Sequence, residues 1–284
     1  MRKRYGLAAG LAVLVTLISS ILVVISSPSP AGAAAPGLWK VDCGYSHSLA
    51  DDPILFPNRP GASHLHDFFG NVGARANSTY QSLNGVRSTC ATNDRAAYWI
   101  PTLYQNGRRL TPNGGIVYYT TSAGAPSAQR SFPPDMRIIL GNSAATTPAQ
   151  REGRIEWGCS DNTQIGKVIP ARCASGFIQV RIPFPPCWNG VNTTGNALPN
   201  LRYPKSGACP AGFPIALPGM RFNAAWRVGT TTGNITLSSG NVNSIHADFW
   251  NVWDQPTLDR LVRDCLRASR NCGHFTGTSP GRNP

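Results

Sequence analysis

The sequence predicts one mainly β domain, an antiparallel sandwich or jelly-roll-like fold, stapled by disulfides and carrying a single C-terminal helix. Three observations predict it. Short runs rich in β-branched and aromatic residues recur along the chain. Turn residues separate them throughout, with 29 Gly and 24 Pro among 284 residues. Only one segment carries a clear helical stripe.

The clearest strand candidates are Ala97–Tyr104 (AYWIPTLY), Ile116–Thr120 (IVYYT), Met136–Leu140 (MRIIL), Gly176–Ile182 (GFIQVRI) and Met220–Val228 (MRFNAAWRV). Several alternate apolar and polar residues, as half-buried strands do. Many short strands divided by turns suit a sandwich or barrel. Proline within some of these runs points to edges and bulges. The polar, small-residue stretches Thr120–Ser131 and Gly141–Gln150 read as surface loops. The helix is expected over Asp254–Arg270. Asp254 is a good N-cap, and Pro256 is tolerated in the first turn. Leu258, Leu261, Val262, Cys265 and Leu266 form one apolar stripe at i, i+3, i+4, i+7 and i+8.

The first residues give the expected location. Arg2, Lys3 and Arg4 precede an apolar run from Tyr5 to Ile25, and small residues then lead to Ala31-Gly32-Ala33. This order matches a secretory signal over residues 1–33, cleaved at an A-x-A site. The run is also long enough for an uncleaved anchor, but the Ser/Pro/Ala stretch favours cleavage. Secretion or cell-wall association is therefore expected, with no stable membrane span afterwards. Residues 34–273 are expected to form a single β-rich domain, probed by no internal repeat or clean linker, and 274–284 a polar tail. Eight cysteines lie beyond the signal, none in a C-x-x-C pair. An even number in an oxidising compartment reads as disulfides. Connectivity cannot be deduced from spacing; nearest-neighbour pairing is the simplest arrangement.

The chain has 26 Lys plus Arg against 13 Asp plus Glu. Without Arg2, Lys3 and Arg4, 23 basic residues face 13 acidic ones, an excess of +10. The basic residues are scattered rather than clustered in an arm, which argues against nucleic acid. Acidic or cell-wall polysaccharide is the expected partner class, and a monomer the expected state.

Chemistry concentrates in two short motifs. Ser63–Asn71 reads SHLHDFFGN, and Ser244–Asp254 reads SIHADFWNVWD. On an extended chain, residues i and i+2 share a face. His64 and His66 then converge on one side and Asp67 points to the other, while His246 and Asp248 share a face. Aromatic residues follow both motifs: Phe68 and Phe69 in one, Phe249, Trp250 and Trp253 in the other. If the motifs meet, three imidazoles and a carboxylate share an aromatic-walled pocket.

The stretches Asp51–Asn71, Ser88–Cys90, Ala96–Tyr104, Ile182–Gly190 and His246–Leu266 together resemble a secreted family of unknown function, number nineteen ninety-six of the domain-of-unknown-function series. The family occurs in actinobacteria and fungi, in fungi often joined to WSC carbohydrate-binding modules. The resemblance implies a secreted, β-rich, disulfide-containing domain and supplies no reaction. Family members usually carry further histidines where this chain reads NTTGNALPNLRYP (Asn192–Pro204), and a His-Pro where it has Phe213-Pro214. Those histidines are missing here.

Three readings of His64, His66, Asp67, His246 and Asp248 stay open. In the first they are catalytic on glycans. A histidine moves a proton, and Asp67 with Asp248 supplies a carboxylate pair for a hydrolase, or a base acts beside an arginine for a lyase. In the second, His64, His66, His246 and Asp248 hold a divalent metal. In the third the histidines fix loops in a non-catalytic glycan- or envelope-binding protein.

Overall fold

A computed structural model describes residues 1, 36–151, 154–191, 193–194 and 197–284. Beyond Met1, the expected signal segment lies outside the described residues. Among these, no helix is long and apolar enough to cross a membrane. Residues Ala35–Pro284 form one compact unit.

Eleven strands build two facing sheets: β1 (Leu38–Cys43), β2 (Tyr45–Leu49), β3 (His66–Gly70), β4 (Ala97–Pro101), β5 (Gly114–Thr120), β6 (Arg137–Gly141), β7 (Glu156–Cys159), β8 (Phe177–Pro183), β9 (Gly219–Arg227), β10 (His246–Trp250) and β11 (Asn271–Phe275). The six-stranded sheet has the order β11-β1-β5-β9-β8-β7, and the five-stranded sheet β2-β3-β4-β10-β6. All neighbours are antiparallel except β1 and β11. Shorter strands form two small accessory sheets of four and three strands. The five strand runs legible in the sequence all form strands.

Alternation explains the sandwich. In β9, Met220, Phe222, Ala224 and Trp226 are buried, while Arg221, Asn223, Ala225 and Arg227 occupy the other face. Phe69 and Tyr98 of the five-stranded sheet meet Phe222 of the six-stranded sheet, with ring centroids 5.0 and 5.5 Å away. Trp39 stacks on Tyr119 at 4.7 Å. Each such fully buried side chain contributes roughly 2–3 kcal/mol of transfer free energy.

The outer face of the five-stranded sheet is covered as well. The segment between β2 and β4 folds across it, and Ala74 and Leu83 pack on Phe68, Trp99, Trp250 and Val252 as a second, smaller core. This cover brings Asp51 and Asp52 to the strand that carries His66. Tyr80–Leu83 is a one-turn helix closed by a Thr79–Ser82 capping box, a feature the sequence reading did not foresee.

The C-terminal helix begins as expected, with the Asp254 carboxylate accepting from the Thr257 amide at 3.1 Å. Its α-helical part spans only Gln255–Leu261, and Val262–Arg267 widens into a π-helix. The Arg270 amide reaches the Cys265 carbonyl at 2.8 Å, five residues back. Val262, Cys265 and Leu266 are all buried, as the apolar stripe predicts.

Four disulfides join Cys43–Cys90, Cys159–Cys173, Cys187–Cys209 and Cys265–Cys272, the nearest-neighbour set, and no free cysteine remains. Chain-entropy arguments assign each about 2–4 kcal/mol. Thiol titration of the unfolded, unreduced protein is expected to find no reactive thiol; more than one per chain would refute the pairing. The C-terminal residues expected as a tail are also packed. His274 pairs with Asp42 at 2.6 Å, Ser279 is buried against Ser88, and Arg282 donates to the Ser82 carbonyl at 2.6 Å.

Candidate functional site

β3 and β10 are both hydrogen-bonded to β4, and their registers place His66 and His246 on either side of Pro101. Both side chains lie on the outer face of the sheet and lean toward each other above that proline. His64, just before β3, joins from the rim. The His246 Nε2 atom lies 3.2 Å from the His66 Nε2 and 3.2 Å from the His64 Nε2. His66 and His246 are buried, and His64 is half-buried.

The other ring nitrogens determine what these contacts mean. His66 Nδ1 is 2.9 Å from the Asp51 carbonyl, and His246 Nδ1 is 2.9 Å from the Ser244 carbonyl. A carbonyl only accepts, so each Nδ1 must carry the proton. In the neutral rings, Nε2 is then a bare lone pair. Burial holds both rings neutral: His246 is pushed down to about 4, and His66 well below the ordinary histidine value. Repulsion from the neighbouring imidazoles adds to this. Burial lowers His64 as well. Thus the 3.2 Å approach of His66 and His246 is not a hydrogen bond, because two acceptors face each other with no proton between them.

A cation between the two lone pairs would remove that repulsion. The ligating nitrogens of the three histidines all lie within 4.8 Å of one another. Imidazoles bound to zinc at about 2.0–2.1 Å in tetrahedral geometry would sit about 3.3 Å apart. The two 3.2 Å separations fit, and the Nδ1–carbonyl bonds of His66 and His246 are of the kind that orients metal-bound histidines.

The cluster opens on a cavity of about 410 Å³, lined by His64, His246, Asp52, Ser63, Phe56 and Asn142 among others. Asp52 is the carboxylate nearest in role. One of its oxygens accepts the amides of Ile54 and Leu55 at 2.9 Å each, while burial still raises its pKa. Gly141 closes the far wall at φ +118°. A Cβ there would come within 2.6 Å of His246 Cα, so this position requires glycine.

The other expected site residues divide. Asp248 shares the outer face with His246, as alternation predicts, but is fully buried beside Trp99, and neither carboxylate oxygen has a partner. Burial, then the charge of Asp52, raises its pKa well above the carboxylate range, which keeps it protonated. Asp67 does not join the cluster. Strand alternation turns it to the inner face, where Ser48, Thr102 and Arg109 bind it at 2.5, 2.9 and 3.2 Å. The Asp67–Asp248 carboxylate pair is therefore not formed. The aromatic wall is also corrected: Phe68, Phe69, Phe249, Trp250 and Trp253 are buried in the two cores, and none lines the cavity. Gly141 reads from sequence only as the first residue of a loop, and Asp52, before Pro53, carries only the signal of a turn.

Fold and site together define a disulfide-bonded β-sandwich with a three-histidine cleft on the outer face of one sheet. Residues 52–253 match the profile of DUF1996, a domain of unknown function, and the chain belongs to that family. No curated protein and no solved structure matches it.

Proposed function

We propose that this is a secreted, metal-dependent enzyme that cleaves extracellular or cell-wall polysaccharide, with a divalent ion held by His64, His66 and His246. The observation that carries the reading is the convergence of the His66 and His246 lone pairs with the His64 ring at the mouth of an open cavity. Three histidines leave one position of a tetrahedral ion free for water or substrate, as in catalytic rather than structural zinc sites. The absence of the expected partner histidines in 192–204 does not leave the set incomplete, because three ligands suffice.

An ion so placed supplies a Lewis acid. Asp52, lining the same cavity, is the base. In hydrolysis, it takes a proton from the attacking water; the water oxygen bonds to the sugar carbon, the glycosidic C–O bond breaks, and that proton passes to the departing oxygen. In a lyase reaction on a uronate, the same base removes the C5 proton, the C4–C5 double bond forms as the C4–O bond breaks, and the departing oxygen takes up that proton. Loop fixing alone accounts for the Nδ1 bonds of His66 and His246 and leaves their facing Nε2 atoms unexplained.

Incubation of zinc-loaded protein with a polyuronate and with a neutral glucan tests the reading. New reducing ends should appear, vanish after chelation, and fall about 10²–10⁴-fold in Asp52→Asn. An unsaturated, ultraviolet-absorbing product would identify the lyase form. Cleavage indifferent to chelator, or none on either polymer, would contradict the proposal.

A further inference from the structure

Among the described residues, the opposite outer face of the sandwich, on the six-stranded sheet, is covered only in part, by loops carrying Asn162, Ile165 and Thr278, and it is not apolar. Its outward residues fall into rows set by the register. One row runs Arg221, Tyr118, Lys40 across β9, β5 and β1, and the next runs Glu156, Arg181, Asn223 across β7, β8 and β9. Beside them, the small residues Ala225 and Gly114 leave a trough that Gln179 borders, while Gly158 beyond it is covered by Ile165. The trough opens on a cavity of about 850 Å³ lined by Tyr118, Asn162, Gln179 and Asn223, and it shares no residue with the histidine cavity.

Three features mark it as built for a ligand. The first is a set of unpartnered buried atoms in one place: Asn223 Oδ1, Arg181 Nε and Arg221 Nε. Asn223 is only 7 % exposed, and its amide nitrogen donates to Gln179 Oε1 at 3.2 Å, which holds the orphan oxygen in position. A buried acceptor left alone costs about 1–3 kcal/mol. The second is preorganised charge. Arg221 lies over the Tyr118 ring at 4.2 Å, Lys40 lies over it at 5.7 Å, and Arg181 donates to Asn162 at 2.7 Å. Burial, and then the charge of Arg221, lowers the pKa of Arg181; an anion beside the two guanidinium groups would offset both. The third is shape. Five strands about 4.8 Å apart give a path of about 19 Å, enough for several sugar rings.

We propose that this face is a second binding site, for an acidic polysaccharide segment carrying uronate carboxylates. Charge complementarity selects the anion: Lys40, Arg181 and Arg221 stand against Glu156, while Asp42 is already paired with His274. The guanidinium groups take a carboxylate in forked geometry. Asn223 Oδ1 needs a donor, which sugar hydroxyls beside each uronate carboxylate supply, whereas an acidic peptide offers only its backbone amides. The site goes beyond the metal centre and does not require it; the two faces place a holding surface behind a reacting one.

The experiment is titration of the full, disulfide-intact chain with polygalacturonate, with its fully methyl-esterified form, and with poly-glutamate of matched length. Polygalacturonate should bind at least 10-fold more tightly than either control, and more weakly as salt rises. Arg181→Gln and Arg221→Gln should each lose about 10-fold, and Asn223→Leu should lose affinity for the uronate polymer with its melting temperature held or raised. Zinc binding should be unchanged in all three variants, which separates failure here from failure of the metal site. Equal binding of the esterified polymer, equal or tighter binding of poly-glutamate, or full affinity in the double arginine variant would overturn the proposal.

Discussion

Replacing His64 by alanine is expected to abolish zinc-dependent stabilisation while leaving the fold intact. His64 is the half-buried member of the trio, and its ring is held by no backbone carbonyl among the described contacts. Its removal therefore takes away a ligand without freeing a loop. Zinc at 100 times its dissociation constant should stabilise the wild-type chain by about 2.7 kcal/mol, because it binds only the folded state. Losing one of three ligands should weaken binding by about 100-fold or more, which removes most of that gain. His246→Ala should abolish binding too, but it also removes a buried ring and its bond to the Ser244 carbonyl, which keeps only the Ser239 hydroxyl at 3.3 Å, so it should cost stability as well. Thermal melts with and without zinc separate the two effects. An equal zinc-induced rise in wild type and His64→Ala would mean that the ion binds elsewhere.

Asp94→Asn is expected to make the protein more stable at pH 8 than wild type, with little gain at pH 4. Asp94 is fully buried between the sheets. It accepts from Tyr98 Oη at 2.8 Å and the Ala96 amide at 3.0 Å, and Tyr119 Oη lies 2.6 Å from Tyr98 Oη. Burial outweighs these bonds and raises its pKa from 3.8 to about 7. The folded state thus holds a proton that the unfolded chain releases. The favourable contribution is fully present below pH 3.8 and is lost as pH rises through about 7, which amounts to on the order of 4 kcal/mol. The lowered histidines act in the opposite sense, with stability lost as pH falls below 6.5. The difference between variant and wild type cancels that contribution. Denaturant unfolding of both proteins from pH 4 to 8 gives this difference directly, and curves that run parallel would show that Asp94 is not the buried acid described.

Alternation and turn spacing made the sandwich legible, because each half-buried strand writes its two faces into the sequence. The pairing of β3 and β10 with β4 was not legible. His66 and His246 lie 180 residues apart, and their meeting depends on strand order, which local pattern does not encode. Same-face reasoning placed His64 with His66 and His246 with Asp248, and turned Asp67 away, all from a period of two. It could not tell which face would be covered, so Phe68 and Trp250 read as pocket walls and are core. Asp52 escaped notice for a related reason. Asp-Asp-Pro is ordinary turn chemistry, and only the cover folding back over the sheet brings that turn to the histidines. The π-helical second half of the C-terminal helix lay hidden because its apolar stripe fits a 3.6-residue period well enough.

The central claim is that three imidazoles bind one ion through Nε2. X-ray absorption spectroscopy on the purified full chain, after loading with one equivalent of zinc and removal of the excess, tests it most directly. About one zinc per chain is expected, with three imidazole nitrogens at about 2.0–2.1 Å and one further light ligand. A chain that retains no zinc, or a first shell made of carboxylate oxygens without imidazole, would contradict it.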